Sequence, residues 1–298
     1  MMRPVHGRKP QQNPAVPGCR NLFDTVGGRY EPLQELGSGA VFLAHLARDA
    51  RTGNEVALKR LRSDMLGSRN ARYTMETEAA ALMLVRHPGI PRLLSSSLSI
   101  PDPYLVEEFK DGIRFTPQNL RDSKTILRLL IYACDILSTL HDAGIVHRDL
   151  KPSNLVLGFD RRRLYVLDFG FSAVPGMQDY AQRVNIPVGT PMFMAPEQTY
   201  ARARVDRRAD IYSLGIISYA FLCGAHPYVI NPKGNEQEEY FRAHRTQEAG
   251  LMHQHRPSVP ERLSYAVARA LSKDPARRYQ DAEEFADALS GCLTAEYC

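Results

Sequence analysis

No apolar run in this sequence approaches the ~18 residues that a membrane-spanning helix needs, and the N-terminus lacks the apolar stretch of a secretory signal. Cysteine is scarce: Cys19, Cys134, Cys223, Cys292 and Cys298 stand far apart, with no C-x-x-C pair. That spacing argues against a disulfide framework or a cysteine zinc site, and predicts reduced thiols in a cytoplasmic protein. Internal repeats are missing, which sets aside solenoid and propeller arrays. Acidic residues are missing from residues 1–20, which carry Arg3, Arg8, Lys9 and Arg20 and hold most of the +5 net charge. Pro4, Pro10, Pro14 and Pro17 share that stretch. It cannot bury enough apolar surface to offset the entropy of ordering, so residues 1–28 are expected to be a disordered basic tail. Such a tail could touch nucleic acid or acidic lipid. A solvated leader is the simpler expectation, and no nucleic-acid partner follows from it.

What is present is ample for a core. The chain has 298 residues, 44% hydrophobic and 24% charged, enough for one large domain or two lobes. From Arg29 to Phe109 the pattern is strand-rich with one helix. "EVALKRL" follows the turn residues Thr52-Gly53-Asn54 and reads as a strand. "RYTMETEAAALMLV", 72–85, reads as a helix ended by His87-Pro88-Gly89. "PYLVEEF", 103–109, is a further short strand. After Lys110 the texture turns helical. "TILRLLIYACDILSTLHDAG", 125–144, has helical apolar spacing and stops at Gly144. Two short strands, "NLVLG" and "RLYVLD", precede a loop-like segment, 170–196. Helices follow in "DIYSLGIISYAFLCG", "RLSYAVARALS" and "DAEEFADAL". The expected organisation is a small β-rich lobe at 29–110, a larger helical lobe at 111–290 and a short tail at 291–298.

Three motifs carry the chemistry. "HRDLKPSN", 147–154, packs an acid, a lysine and an amide into a loop after the long helix. "LDFG", 167–170, follows a strand, and "MAPE", 194–197, closes the segment after it. Singly, each motif has a bland reading: Asp168 as a turn residue, Lys59 as a solvated strand lysine. Together, in this order and context, they make the chain resemble a protein kinase of the Ser/Thr type, from Arg29 to about Leu289. The texture of "SKDPARRYQDAEEFADAL" is similar to the bacterial, Hanks-type branch.

The resemblance implies an α+β bilobal kinase fold and a phosphoryl transfer from ATP to protein Ser or Thr hydroxyls. Such transfer needs an aligned nucleophile and cations to offset phosphate charge. Asp149 would accept or orient the substrate hydroxyl proton, and Lys151 would sit on the transferring group. Asn154 and Asp168 are oxygen donors suited to Mg²⁺, with Mn²⁺ as an alternate. Lys59 would grip the α- and β-phosphates, with Glu78, rather than Glu76, as its ion-pair partner. Leu36, Gly37, Gly39, Val41, Ala57, Glu108 and Val156 would line the nucleotide site. Leu82, His147 and Phe169 would stack between the lobes, Glu197 would pair with Arg278, and Asp210 would hold the catalytic loop. The lysine two residues past Asp149 and the "GTP" at 189–191 favour Ser/Thr over tyrosine, and "APE" with "DIYSLG" favours a protein substrate over a small molecule.

Three departures stand out. The glycine loop reads "LGSGAVFLAH", where G-x-G-x-x-G-x-V is usual. Aligning Val41 with the final valine makes the hairpin three residues short, which predicts weakened phosphate contacts. A pseudokinase scaffold with weakened ATP binding is the rival reading on that ground. Between Asp168 and Thr190 the only hydroxyls are Ser172 and Tyr180. In the family an arginine at the place of Arg148 usually binds a phosphorylated loop residue. The segment is therefore expected to be ordered without Ser/Thr phosphorylation, or by Tyr180 or a regulatory protein partner. Finally, a carboxylate, Glu107 or Glu108, guards the back of the adenine pocket and needs a donor such as Lys59.

Overall fold

The computed structural model of the chain describes residues 25–99, 101–120 and 122–296. The expected basic tail lies outside the described residues as far as position 24. Its last residues belong to the fold instead. Val26 bridges to Tyr30 and is buried with Tyr30, Ala47, Val56 and Tyr104. Gly27 and Gly28, at φ +59° and +66°, make the turn that lets this apolar residue fold back.

Five antiparallel strands form the first sheet, in the order β1-β2-β3-β5-β4. They are β1 (Tyr30–Ser38), β2 (Phe42–Asp49), β3 (Glu55–Leu61), β4 (Leu93–Ser97) and β5 (Tyr104–Glu108). β4, "LLSSS", carries no strand signal of its own; pairing with β5 makes it one. α1 (Arg69–Leu84) starts three residues earlier than read, because the Ser68 hydroxyl accepts from Ala71 N at 3.2 Å and caps it. Its Ala71, Met75 and Ala79 pack on Leu61 and Leu105 of the sheet.

Residues 109–112 cross to the larger lobe. There β6 (Ile113–Arg114), β7 (Leu155–Leu157) and β8 (Leu164–Val166) make a three-stranded sheet beside α2 (Ser123–Asp142). The segment read as a loop contains a short α-helix, α3 (Tyr180–Val184), capped by Asp179, and a 3-10 turn at Pro191–Phe193. α4 (Arg208–Cys223) is buried almost from end to end and stops where Gly224 takes φ +78°. Around it lie α5 (Glu236–Thr246), α6 (Met252–His255), α7 (Glu261–Ala270) and α8 (Ala282–Glu296). α5 escapes sequence reading because "EQEEYFRAHRT" is mostly polar and buries only Tyr240, Phe241, Ala243 and His244. The tail expected at 291–298 is corrected: α8 continues to Glu296, and Cys292 is fully buried. The architecture is α+β and bilobal, a sheet-rich small lobe joined to a helical large one.

Candidate active site

Strand alternation puts Ala57 and Lys59 on one face of β3. α1 brings Glu78 to Lys59 as an ion pair, and Glu78 is fully buried whereas Glu76 is exposed. Glu78 lies on the stripe of α1 that also buries Met75 and Leu82. The same Oε1 accepts from Phe169 N at 3.2 Å, tying α1 to the 168–170 turn. A second carboxylate reaches this lysine: Glu107, opposite Ala57 on β5, lies 3.1 Å away through Oε1. Of the two candidate carboxylates, Glu107 is the one that meets Lys59. Glu108, one residue on, faces the other way, and its carboxylate meets Arg92 at 3.3 Å and Lys110 at 3.1 Å. Glu108, expected in the nucleotide site, turns its carboxylate away from Lys59.

Two buried carboxylates thus share one ammonium. Burial lifts the Glu78 carboxyl to about 8 against the pull of Lys59, with Glu107 and Asp168 adding to the rise. Burial lifts Glu107 as well, again against Lys59. For Lys59 burial opposes the charge, but Glu107, Glu78 and Asp168 together hold the ammonium above the ordinary lysine range. Glu78 Oε2 is buried without a hydrogen-bond partner. A folded-state pKa raised above the unfolded value means the native state holds the extra proton between 4.5 and about 8. Stability therefore falls as pH rises through that window. Glu107→Met leaves one carboxylate for one lysine. We expect wild type to lose on the order of 1–3 kcal/mol relative to Glu107→Met across the window. Parallel urea-denaturation stabilities for the two proteins would count against a shared proton.

The glycine hairpin is not shortened. Gly37 pairs with Ala44 and Ala44 with Lys59, so 37–44 holds all eight places of G-x-G-x-x-G-x-V without a gap. Phe42 stands at the third glycine and Ala44 at the valine. Val41, expected over the adenine, sits in the turn between Gly39 and Phe42, which is closed by Gly39 N donating to Phe42 O at 2.8 Å. It packs against the cluster of Leu61, Ala71, Met75, Ala79 and Leu105. Gly37 and Gly39 remain in the hairpin, and Leu36, beside a bulge, is exposed. Phe42 reaches under the sheet: a Cβ at Gly170 would lie 3.2 Å from its ring and 3.5 Å from Asp168 Oδ1. The ring thus links the hairpin to α1 and the 168–170 turn. Phe42→Gly removes that contact and adds strand flexibility, and should cost about 2–3 kcal/mol; a change in urea midpoint below a tenth of the wild-type value would refute the link.

The second centre is the loop after α2. Asp149 is buried; its Oδ1 accepts from Thr190 Oγ1 at 2.6 Å and its Oδ2 from Lys151 Nζ at 2.6 Å. Lys151 Nζ also donates to Thr190 Oγ1 at 2.8 Å, closing a triangle. Asn154 Nδ2 donates to Asp149 O at 3.0 Å, which orients the amide and leaves its oxygen for another partner. Arg148 and Asp168 both hold φ +66°, a strained setting for residues with a Cβ that their surroundings must enforce. Buried Asp210 supplies part of that force, its oxygens accepting from His147 N and Arg148 N at 2.8 Å each and from His141 Nε2 at 2.9 Å. Gln198, for which the sequence holds no motif, adds Nε2 to Arg148 O at 2.7 Å and to Val188 O at 3.2 Å. His147 and Phe169 rings lie 5.1 Å apart, with Leu82 buried in the same core. Val156 sits on β7, opposite Tyr165. Glu197 and Arg278 form a two-pronged pair, both contacts 2.7 Å.

Among the described residues no cluster of three or more His, Cys, Asp or Glu is set to hold a metal. Asn154 and Asp168 suit a hard cation that takes few protein oxygens and completes its shell with water and phosphate.

Comparison with known proteins agrees with this geometry. Residues 30–290 match the family model described as protein kinase domain. The chain is 32% identical over 294 residues to serine/threonine-protein kinase Pkn1 of Myxococcus xanthus, covering 95% of this chain and 41% of that protein. It is 30% identical over 268 residues to serine/threonine-protein kinase PknB of Mycolicibacterium smegmatis, covering 87% of this chain and 42% of that protein. The chain thus spans less than half the length of these relatives. No helix among the described residues is long and apolar enough to cross a membrane.

Proposed function

We infer the activity from one premise: this chain belongs to the protein kinase family. The reading is an ATP-dependent Ser/Thr protein kinase, with lobes at 29–110 and 111–290. The observation that carries it is Asp149 held between Lys151 and Thr190. A carboxylate so oriented accepts the proton of a Ser or Thr hydroxyl as that oxygen attacks the γ-phosphorus. Lys151, 2.6 Å from that carboxylate, offsets charge on the transferring group. Lys59 meets the α- and β-phosphates, steadied by Glu78 and Glu107. Ala57, Leu36 and Val156 border the base, with Gly37 and Gly39 over the phosphates and Ala44 in the role first given to Val41. Asn154 and Asp168 are the ligands for Mg²⁺, and Mn²⁺ suits the same oxygens. When bound, the metal neutralises phosphate charge and fixes the phosphates' orientation.

Protein substrates follow from the names of the relatives, and the cytoplasm from the need for ATP. A regulatory protein partner remains part of the proposal. The retained Lys59, Asp149 and Asp168 and the full-length hairpin favour this reading over a scaffold. The test is transfer of labelled γ-phosphate from Mg-ATP to a generic protein, followed by phosphoamino-acid analysis. Phosphoserine or phosphothreonine is expected. ATP binding without transfer would return the scaffold, and transfer to a small alcohol alone would end the protein-kinase reading.

A further inference from the structure

The segment between Asp168 and Glu197 is ordered around a contact between Arg148 and Asp179. Arg148 is buried, with its backbone strained and pinned from both sides, by Asp210 at N and by Gln198 at O. Its guanidinium has nowhere else to go, and a buried guanidinium requires an anion. The anion is Asp179: Nη1 donates to Oδ1 at 2.7 Å and Nη2 to Oδ2 at 2.6 Å, a two-pronged pair. Arg148 Nη2 also donates to Val205 O at 3.3 Å, while Nε is buried without a hydrogen-bond partner. Partial burial opposes charge on Asp179, but the hydrogen bonds and charge of Arg148 hold it below the usual carboxylate range.

The residues on either side of Asp179 are fastened to the other lobe. Asp179 caps α3 through Ala181 N at 2.9 Å. Next to it, Gln178 O accepts from the Tyr73 hydroxyl of α1 at 2.5 Å. Arg183 of α3 donates to Asn70 Oδ1 at 3.1 Å and lies 4.6 Å over the Tyr73 ring. One continuous path therefore joins Asp149 and Arg148 to Asp179, then to α3 and α1, which carries Glu78. The segment's own hydroxyls do not serve this arginine. Ser172 is buried and donates to His147 O at 3.5 Å. Thr190 is engaged by Asp149 and Lys151. Tyr180 is stacked on Tyr73 at 6.4 Å and lies tilted against Phe171 at 5.5 Å.

Resting on the kinase reading above, we propose that Asp179 is a positioning residue, a permanent anion that neutralises Arg148 and sets the Asp149 loop and the 168–197 segment without phosphorylation of that segment. A phosphate at this place supplies negative charge and acceptor oxygens only after modification. A carboxylate supplies them from synthesis, so the protein's control lies elsewhere than in this segment.

The experiment uses the full chain after phosphatase treatment, with Asp179→Asn, Asp179→Glu, Arg148→Ala and the Arg148→Ala/Asp179→Asn double variant. Asparagine keeps the size and one cap acceptor and removes the charge. Two readouts are taken: hydrogen exchange of peptides from 168–197, and kcat and KM for Mg-ATP. Treated wild type should keep its kcat within about twofold. Asp179→Asn should lose exchange protection in the segment and about 10–100-fold in kcat with little change in KM, by analogy with other lost positioning contacts. Glutamate should recover part of both, and the double variant should be no worse than Arg148→Ala alone. Loss of wild-type activity on phosphatase treatment overturns the proposal, as does unchanged protection in Asp179→Asn. A wild type without transfer strikes the kinase reading instead, while the exchange data still decide the role of Asp179.

Discussion

Replacing Asp149 by asparagine should lower kcat by about 10²–10⁴-fold while leaving the fold and Mg-ATP binding intact. The size of the effect follows from what the side chain does and does not hold. Its two oxygens each accept a hydrogen bond, from Thr190 and from Lys151, and neither partner anchors a core element. Asparagine preserves volume and one acceptor, so the loop stays in place. The group lost is the one that takes up or directs a proton, and an amide cannot replace it. A thermal shift by Mg-ATP equal to that of wild type, together with failed transfer, is the expected pair of results. Retained kcat would move the proton-accepting role away from this loop. A lost thermal shift would mean that Asp149 supports nucleotide binding rather than the transfer step.

The largest loss of stability should come from Arg278→Ala. Arg278 is among the largest fully buried side chains, and its guanidinium meets both oxygens of Glu197 at 2.7 Å. It also donates to the carbonyls of Ser272 at 2.8 Å, Arg208 at 3.0 Å and Lys273 at 3.1 Å. Alanine would leave a cavity, three orphaned carbonyls and a carboxylate stranded near the core. Breaking a buried pair from one side costs about 3–5 kcal/mol. In a protein of this size that is a fall in Tm on the order of 10 °C. Removing both charges is the informative comparison, since Glu197→Leu/Arg278→Leu should regain part of the loss. A double variant no more stable than Arg278→Ala would show that the carbonyl contacts, rather than the stranded charge, dominate. Because Glu197 closes the 168–197 segment, the single variant should also weaken order there.

The two largest effects differ in how visible they are beforehand. Asp149, Asn154 and Asp168 are local matters: each sits in a short motif, and the ordered set of motifs carries the resemblance that gives each its proposed role. The pairing of Glu197 with Arg278, 81 residues apart, is expected only through resemblance. Glu78 over Glu76 is expected from the family's spacing to His87-Pro88, and α1 then buries Glu78 and exposes Glu76. The glycine hairpin shows the opposite case. Sequence matching anchored on Val41 implied three missing residues, because a valine in the pattern looked like the pattern's own valine. Strand register corrected it, since each partner across β2 is set by hydrogen bonds reaching back to Lys59.

By itself, the sequence showed a strand-rich region followed by a helical one and the short motifs at 147–154, 167–170 and 194–197, while the bilobal fold and the roles proposed for those motifs came with the family resemblance. Those regions and motifs depend on local periodicity, turn residues and short spacings. Only the tertiary structure decided that Glu107 shares Lys59 with Glu78, that Glu108 turns away, that Phe42 spans to Gly170, and that Asp179 answers the buried charge of Arg148. The physical reason is common to all four. A buried charge or an unfilled space is resolved by whichever side chain packing brings near, and that neighbour is chosen by register and lobe closure rather than by distance along the chain.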